Sequence, residues 1–226
     1  MNGIELDFYL SLGCFRMHQD IFTCRYLPKD DQLHTVHWLR IDLDAVVLGT
    51  KQNRILRQNA PFQVSVVPMT TITDEHEALY ARYRASIDFD AAYSVAQCLL
   101  DGATSTVFES YAIEVRDTDT LIAVGVFDQG TDSIAGILNF YHPDYRKYSL
   151  GKFLMLQKLL HARAQGRSYY YPGYVVSHYP KFDYKLFACE PATQLYDPDR
   201  AIWVPFSWAI VNDAPVLTHS SPQQPF

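Results

Sequence analysis

The part of the sequence with the clearest chemical meaning is a short basic turn, Arg146 to Gly151, that opens a helix. Arg146 and Lys147 supply two cations, and Ser149 and Gly151 stand where the helix begins. The first amides of a helix have no partner within it, and its dipole is positive at this end, so the position favours an anion. We therefore predict that these four residues bind a phosphate-bearing ligand. The alternative is an ordinary helix N-terminus with Ser149 as its N-cap residue.

A second group of candidate residues lies in the two aromatic runs that follow this helix. Gly173 interrupts the first run, and a glycine inside a strand often marks splayed strands or a close backbone approach. Tyr174 is therefore a candidate for the wall of a pocket, with core packing as the alternative. In the second run, Asp183 and Lys185 alternate with aromatic residues, so a strand would bring both charges to one face. That face would be either a polar wall of a binding site or a solvated strand edge.

A third candidate is the only local positive cluster of size, formed by Lys51, Arg54 and Arg57. The segment from Thr50 to Asn59 is predicted to be a compact helix. Such a cluster can contact nucleic-acid phosphates or an acidic peptide. A solvated helix face is the alternative.

The composition limits the possible functions. With 226 residues, 48% hydrophobic and 19% charged, the chain reads as a globular protein of one or two domains. A net charge of −6 argues against a general nucleic-acid binder, so any such contact must be local. The N-terminus lacks a basic leader, and no apolar run approaches the ~20 residues of a membrane span. We expect a cytoplasmic protein that contacts neither DNA nor a membrane.

Hydrophobic periodicity predicts the elements that position these residues. We expect a small β-rich N-terminal lobe over residues 1–70 and a second domain over residues 71–226. Within the second domain we predict helices and strands in this order: helices at 74–87 and 90–101, strands at 107–116, 120–128 and 132–142, a helix at 150–165 and a strand at 169–176. This order predicts an α/β fold with a mixed sheet and flanking helices. The tail from Asn212, rich in proline and serine, is expected to be loosely held.

Short segments in these elements resemble one protein family. The segments FYHPD, SLG, YYYPGY and YPKFDYK occur in this order between residues 140 and 185. Upstream, GCFR at residues 13–16, the basic helix and LYARY at residues 79–83 resemble further family segments, again in order. Together they resemble the arginyl-tRNA–protein transferases, whose bacterial branch transfers leucine to acidic N-termini. The resemblance implies the fold of the GCN5-related N-acetyltransferases, an acyltransferase fold, for residues 71–226.

The sequence departs from this family in its cysteine-rich module. Where the family carries cysteines at C-x-x-C-x-x-C spacing, Cys24 stands alone. One thiol cannot hold a four-ligand metal or cluster site, and the nearby histidines have no recognised ligand spacing. We therefore expect no metal and no required cofactor.

The resemblance implies an enzyme of the N-end rule that moves arginine or leucine from aminoacyl-tRNA to the N-terminus of an acceptor protein. The donor ester is already activated, so the site needs positioning, a proton acceptor and support for an oxyanion rather than a covalent nucleophile. Asp183 and Tyr174 are then the catalytic candidates, and the 146–151 turn binds the donor phosphates. The substrate-binding candidates are Lys51, Arg54, Arg57 and Lys185.

Two other functions remain open. The turn keeps the R-x-x-G-x-G spacing of an acetyltransferase CoA loop, with Ser149 in place of the first glycine. An acetyltransferase that uses acetyl-CoA as its cofactor on a small amine is therefore the first alternative. The second is a non-catalytic, degenerate acyltransferase fold that only binds a partner.

Overall fold

The computed structural model describes residues 1–218, which form a ten-stranded sheet flanked by helices. The helices are α1 (Gly3–Ser11), α2 (Thr50–Asn59), α3 (Asp74–Arg84), α4 (Val95–Leu100), α5 (Leu150–Ala164) and α6 (Trp208–Asp213). The strands are β1 (Phe15–Met17), β2 (Asp20–Phe22), β3 (Tyr26–Lys29), β4 (Gln32–Asp42), β5 (Gln63–Pro68), β6 (Ser110–Asp117), β7 (Thr120–Gln129), β8 (Ser133–Tyr141), β9 (Tyr169–Val176), β10 (Thr193–Asp197), β11 (Ile202–Pro205) and β12 (Val216–Thr218). Three 3₁₀ segments complete the structure: Pro143–Tyr148, Pro180–Phe187 and Glu190–Ala192.

The main path of the sheet runs β11-β10-β4-β9-β8-β7-β6-β5, and β3 and β12 pair with the first part of β4. Strands β1 and β2 form a separate hairpin. Within residues 1–218 the pairing of β8 with β9 is parallel and all other pairings are antiparallel. A parallel pair needs a crossover connection, and α5 supplies it.

Helices cover both faces of the sheet. On β7, Ala123 and Phe127 join the core under α5, whereas Val124 and Val126 join the core under α3 and α4. This alternation is that of a strand buried on both faces. No helix within residues 1–218 has the length and apolar character that crossing a membrane requires.

The predicted fold class, a mixed α/β sheet with flanking helices, is confirmed. The helix at 50–59 and the strand at 169–176 have the predicted bounds, and the helices predicted at 74–87 and 90–101 are shorter, at 74–84 and 95–100. The prediction of a loose tail from Asn212 is wrong as far as residue 218, because α6 continues to Asp213 and β12 pairs with β4. The rest of that tail lies outside the described residues.

The division of the chain near residue 70 stays a prediction. The sheet includes strands from both sides of that position. β4 lies between β9 and β10, and β5 forms the edge next to β6. The N-terminal segment therefore supplies part of the framework that positions β9.

Candidate functional site

The candidate site lies where β8 and β9 separate. Their parallel pairing runs from Ser133 with Tyr169 to Ala135 with Tyr171 and goes no further. Pro172 follows on β9 and has no N–H with which to continue the ladder. On β8, Ile137 is an extra residue, because Val126 pairs with Leu138 while Phe127 pairs with Gly136. A cavity of about 370 Å³ opens between the two strands, as the glycine at position 173 led us to predict.

Aromatic side chains form one wall of this cavity. The Trp38 ring lies 5.5 Å from the Phe15 ring, 5.6 Å from the Phe22 ring and 5.1 Å from the Tyr174 ring, measured between centroids. Tyr174 thus lines the cavity, where the sequence predicted a pocket wall. Burial raises the pKa of its hydroxyl, so this group is a hydrogen-bond donor at neutral pH.

A buried lysine of α5 forms part of the opposite wall. Lys158 is 1% exposed, and its ammonium donates hydrogen bonds to Val126 O at 2.6 Å, Asn139 Oδ1 at 2.9 Å and Leu138 O at 3.3 Å. Burial lowers the pKa of Lys158 to about 7, with Asp128 acting in the opposite direction. Its stem needs a glycine on β7, because a Cβ at Gly125 would lie 3.0 Å from Lys158 Cε.

A second lysine reaches the cavity from the 3₁₀ segment Pro180–Phe187. The side chain of Lys185 is half-buried, and its ammonium donates a hydrogen bond to Tyr174 O at 2.8 Å. The ammonium also lies 4.5 Å from the Tyr174 ring centroid and 4.7 Å from that of Phe182. Burial lowers the pKa of Lys185 to about 7. Gly173 makes room for it, since a Cβ there would lie 3.2 Å from the Lys185 ammonium.

The predicted strand around Asp183 and Lys185 is wrong. Residues 180–187 form a 3₁₀ helix, in which these two side chains do not alternate across a sheet. Lys185 and Tyr184 line the cavity, whereas Asp183 does not. Partial burial raises the pKa of Asp183. The structure therefore brings Tyr174 and Lys185 together and leaves Asp183 outside the cavity, and its catalytic role stays a prediction.

The remaining cation of the cavity, Arg16, is neutralised. Its guanidinium lies 2.7 Å from Asp128 Oδ1 and also bonds Ser110 Oγ and Leu99 O. Burial raises the pKa of Asp128, and Arg16 opposes that effect. No Asp or Glu from residues 1–218 lines the cavity itself. The cavity therefore combines aromatic walls with an excess of basic groups.

A groove of about 660 Å³ adjoins this cavity, and Asn139 and Tyr184 line both. Arg146, Ser149 and Gly151 line the groove at the start of α5, as does Lys152. Ser149 is the N-cap residue, but its side chain makes no capping bond and its backbone is left-handed, with φ +54°. Glycine adopts that conformation without steric cost, so Ser149 occupies a position that would suit a glycine. The alternative prediction, Ser149 as the N-cap residue, is therefore correct in position, although no side-chain bond accompanies it, and anion binding at this turn stays a prediction.

The other predicted cations lie outside the groove. Lys147 does not line it and lies over the Tyr148 ring at 5.1 Å. Helix α2 is held next to this turn, because Gln58 Nε2 donates to Lys147 O at 2.9 Å and Asn59 Nδ2 donates to Tyr148 O at 3.0 Å. Its three basic residues, Lys51, Arg54 and Arg57, are exposed and reach neither the cavity nor the groove. Their substrate-binding role stays a prediction.

Sequence reasoning missed Lys158 and Asn139. Lys158 follows Leu154 and precedes Ala162 at intervals of four residues, so it lies on the buried face of α5. A lysine on the buried face of a helix was the signal in the sequence that could have identified it. Asn139 gave no such signal, since its role depends on the separation of β8 from β9. In the described part of the chain no three His, Cys, Asp or Glu side chains gather as metal ligands, and the absence of a metal stays a prediction.

Comparison with known proteins identifies the family. Residues 75–191, which include Asn139, the α5 turn and both lysines, match the model for the C terminus of arginine-tRNA-protein transferase. An aspartate/glutamate leucyltransferase from Granulibacter bethesdensis is 30% identical over 90% of this chain and 74% of its own length. One from Leptospira interrogans is 29% identical over 66% of this chain.

The match to the Leptospira relative spans 59% of that protein's length. Among solved structures, a GCN5-related glucosamine N-acetyltransferase region of a fungal multi-domain β-N-acetylglucosaminidase aligns with a TM-score of 0.47 and 15% identity, over 85% of this chain and 21% of that one. The family predicted from the short sequence segments is thus confirmed by the matched region and the relatives. The chain belongs to the arginine-tRNA–protein transferase family.

Proposed function

We propose that the protein transfers an amino acid from aminoacyl-tRNA to the α-amine of a protein that begins with an acidic residue. The observation that carries this proposal is the cavity between β8 and β9, which opens into a groove lined by Arg146 and the start of α5. The groove lies in the region that matches the family model, and so does most of the cavity. The residues of the cavity from outside that region are Phe15, Arg16, Met17, Phe22 and Trp38. The names of the relatives, aspartate/glutamate leucyltransferases, support the acidic acceptor.

The groove suits the 3′ end of a charged tRNA. Tyr83, Phe89 and Tyr184 line it with aromatic rings on which a base can stack. Arg146 and Lys152 at the start of α5 can bind phosphate, together with the unpaired first amides of the helix. The exposed cations of α2, beside this turn, are placed to contact phosphates further along the tRNA.

The charge of the cavity favours leucine over arginine as the transferred residue. Lys158 and Lys185 line the cavity, Arg16 there is already paired with Asp128, and no carboxylate from residues 1–218 lines the cavity. A guanidinium would face these basic groups without a counter-ion, and burying such a charge is costly. The leucine side chain would instead contact the aromatic wall around Trp38.

The reaction requires that the acceptor amine attack the ester carbon held between the strands. Past Ala135, β8 has no ladder with β9, so its backbone groups on that side can contact the acyl oxygen. The Tyr174 hydroxyl, protonated at neutral pH, is a further donor in the wall. We keep Tyr174 as a catalytic candidate on this ground. No bound cofactor is needed, and because charged tRNA is cytoplasmic we propose that location.

The test is transfer of labelled leucine or arginine from charged tRNA to matched peptides that begin with Asp, Glu or Ala. We expect leucine to be transferred to the Asp and Glu peptides in preference to the Ala peptide. Equal transfer to all three would remove the acidic acceptor from the proposal. Transfer of arginine in preference to leucine would reverse the donor assignment.

The arrangement Arg146, Ser149 and Gly151 supports one second candidate, an acetyl-CoA-dependent acetyltransferase. The groove that accepts a tRNA end would then hold the CoA pyrophosphate at the same turn. Acetylation of a small amine, with no aminoacyl transfer in the same preparation, would favour this function. Binding of either donor without any transfer would favour a non-catalytic role.

A further inference from the structure

Lys185 stands beside the position that the reacting groups would occupy. It lines the cavity next to Gly173 and Tyr174, where β9 has already separated from β8. Its ammonium donates to Tyr174 O, and no other hydrogen bond and no ion pair to it is formed within residues 1–218. A lysine nitrogen anchored by one bond keeps its other positions for a ligand.

The groups that face Lys185 in the described part of the chain carry no negative charge that would stabilise its ammonium form. Lys158 on α5 and Arg16 on β1 are basic, and Arg16 is already paired with Asp128. The tyrosines of the cavity have pKa values raised by burial and are neutral at pH 7: Tyr80, Tyr83, Tyr170, Tyr174 and Tyr184. With burial, this environment lowers the pKa of Lys185 to about 7, which suits a proton acceptor at neutral pH.

We propose that Lys185 is the general base that takes a proton from the α-ammonium group of the acceptor, an inference that rests on the proposed function. The bond to Tyr174 O would fix the direction of its lone pair. Asp183, the carboxylate that the sequence suggested for this task, does not reach the cavity.

The step balances as follows. The acceptor ammonium gives one proton to the neutral Lys185 amine, and the free amine attacks the ester carbon of the aminoacyl group. A C–N bond forms, and the C–O bond to the tRNA ribose breaks. A second proton from the attacking nitrogen ends on the ribose oxygen, and the proton on Lys185 returns to solvent.

A different role for the same residue would be to pair with the side-chain carboxylate of the acceptor. Arginine separates the two roles, because it keeps the charge but does not give up its proton at neutral pH. The acceptor separates them too. A base is needed for every acceptor, whereas a carboxylate partner matters only for Asp and Glu.

The experiment compares wild type, Lys185→Arg, Lys185→Met and the surface control Lys29→Met in single-turnover transfer to matched Asp and Ala peptides. We expect both Lys185 variants to be slower by at least ~100-fold with either peptide, the scale of general-base catalysis. Donor binding and the Lys29→Met rate should match wild type. A Lys185→Arg rate within about threefold of wild type would overturn the proposal, as would a Lys185→Met defect confined to the Asp peptide. An inactive wild type would instead refute the proposed function, and this inference with it.

A rescue keeps the test valid if these variants fold poorly. Lys185→Cys treated with 2-bromoethylamine regains an amine at nearly the original length, and treated wild type controls for the four native cysteines. We expect the treated variant to regain at least ~10-fold in rate, part of the factor that a general base contributes. A correctly folded, fully modified variant that stays inactive would contradict the proposal.

Discussion

The two lysines of the cavity occupy opposite walls and differ in how fully they are bound. On the α5 side, Lys158 uses its three hydrogens on Val126 O, Leu138 O and Asn139 Oδ1. On the side of the 3₁₀ segment, Lys185 has one partner within residues 1–218, Tyr174 O. Burial lowers the pKa of both to about 7.

A similar pKa therefore accompanies two different tasks. The α5 wall is fixed, because Lys158 supplies donors to carbonyl groups of β7 and β8 beside the bulge at Ile137. The 3₁₀ wall keeps a nitrogen that can exchange protons with a ligand. The number of protein partners, rather than the pKa, separates the structural lysine from the reactive one.

The largest expected effect is a rise in stability between pH 7 and pH 9. In the unfolded chain both lysines titrate near 10.5, and in the folded protein near 7, so the unfolded state binds more protons in this window. The free energy of unfolding should then rise by up to about 1.4 kcal/mol per pH unit for each lysine, and this stability is lost as the pH falls towards 7. Denaturant unfolding at pH 7, 8 and 9 measures this rise. Lys158→Met and Lys185→Met should each remove the part of the rise that the replaced lysine contributes. A flat profile in wild type would contradict both assignments.

Lys158→Met tests the fixed wall. At one pH both variants remove a lysine with a pKa near 7, so the pH-dependent cost of each lysine is removed equally and cancels between them. Lys158→Met also leaves three acceptors without a donor, whereas Lys185→Met loses one bond, so we expect Lys158→Met to be less stable than Lys185→Met by about 2–3 kcal/mol at pH 8. Chemical unfolding of both variants makes the comparison. Equal losses would show that the two lysines are structural to the same degree.

Gly173→Ala tests whether Lys185 depends on the space beside β9. The backbone there has φ +103°, and the added Cβ would meet the Lys185 ammonium at 3.2 Å. We expect a loss of about 1–3 kcal/mol in stability, together with slower transfer. Gly102→Ala is the matched control, with φ +89° and no atom within 4 Å of the added Cβ. If both variants slow transfer equally, backbone strain alone accounts for the effect.

The turn before α5 offers the smallest contrast, between two adjacent cations. Arg146 lines the groove and Lys147 does not. Arg146→Ala should weaken binding of the charged tRNA by about tenfold, which corresponds to about 1.4 kcal/mol. Lys147→Ala should weaken it less, through long-range charge alone. Filter binding at two salt concentrations measures the affinity of both variants. Equal losses of affinity would mean that Arg146 makes no specific phosphate contact in the groove.

The elements that follow from local pattern were predictable. The helix at 50–59 and the strand at 169–176 have the bounds that the sequence indicates, and the splay at Gly173 follows from a glycine and a proline inside an aromatic strand. The strand predicted for residues 180–187 was wrong. Alternating aromatic and polar residues are typical of a strand, whereas this segment folds as a 3₁₀ helix over the cavity.

The role of Lys158 depends on residues far away in the sequence. A lysine in a helix is ordinarily exposed, and here it is buried because Gly125 leaves room for its stem and Asn139 accepts its bond. Neither partner is visible from the helix itself. The candidate site was therefore predictable in position, at the 146–151 turn and the Gly173 strand, and less so in the identity of its proton-transfer groups.

The position of β4 has a consequence for the order in which the chain acquires its structure. β4 ends at Asp42, and its neighbours in the sheet, β9 and β10, begin at Tyr169 and Thr193. During synthesis, β5 to β8 can form an antiparallel unit while β4 is paired only with β3. The insertion of β9 between β4 and β8 is then a slow event, because long-range pairing must close a large loop. That same event separates β9 from β8 at Gly173, so the cavity can form only after β9 has joined both of its neighbours.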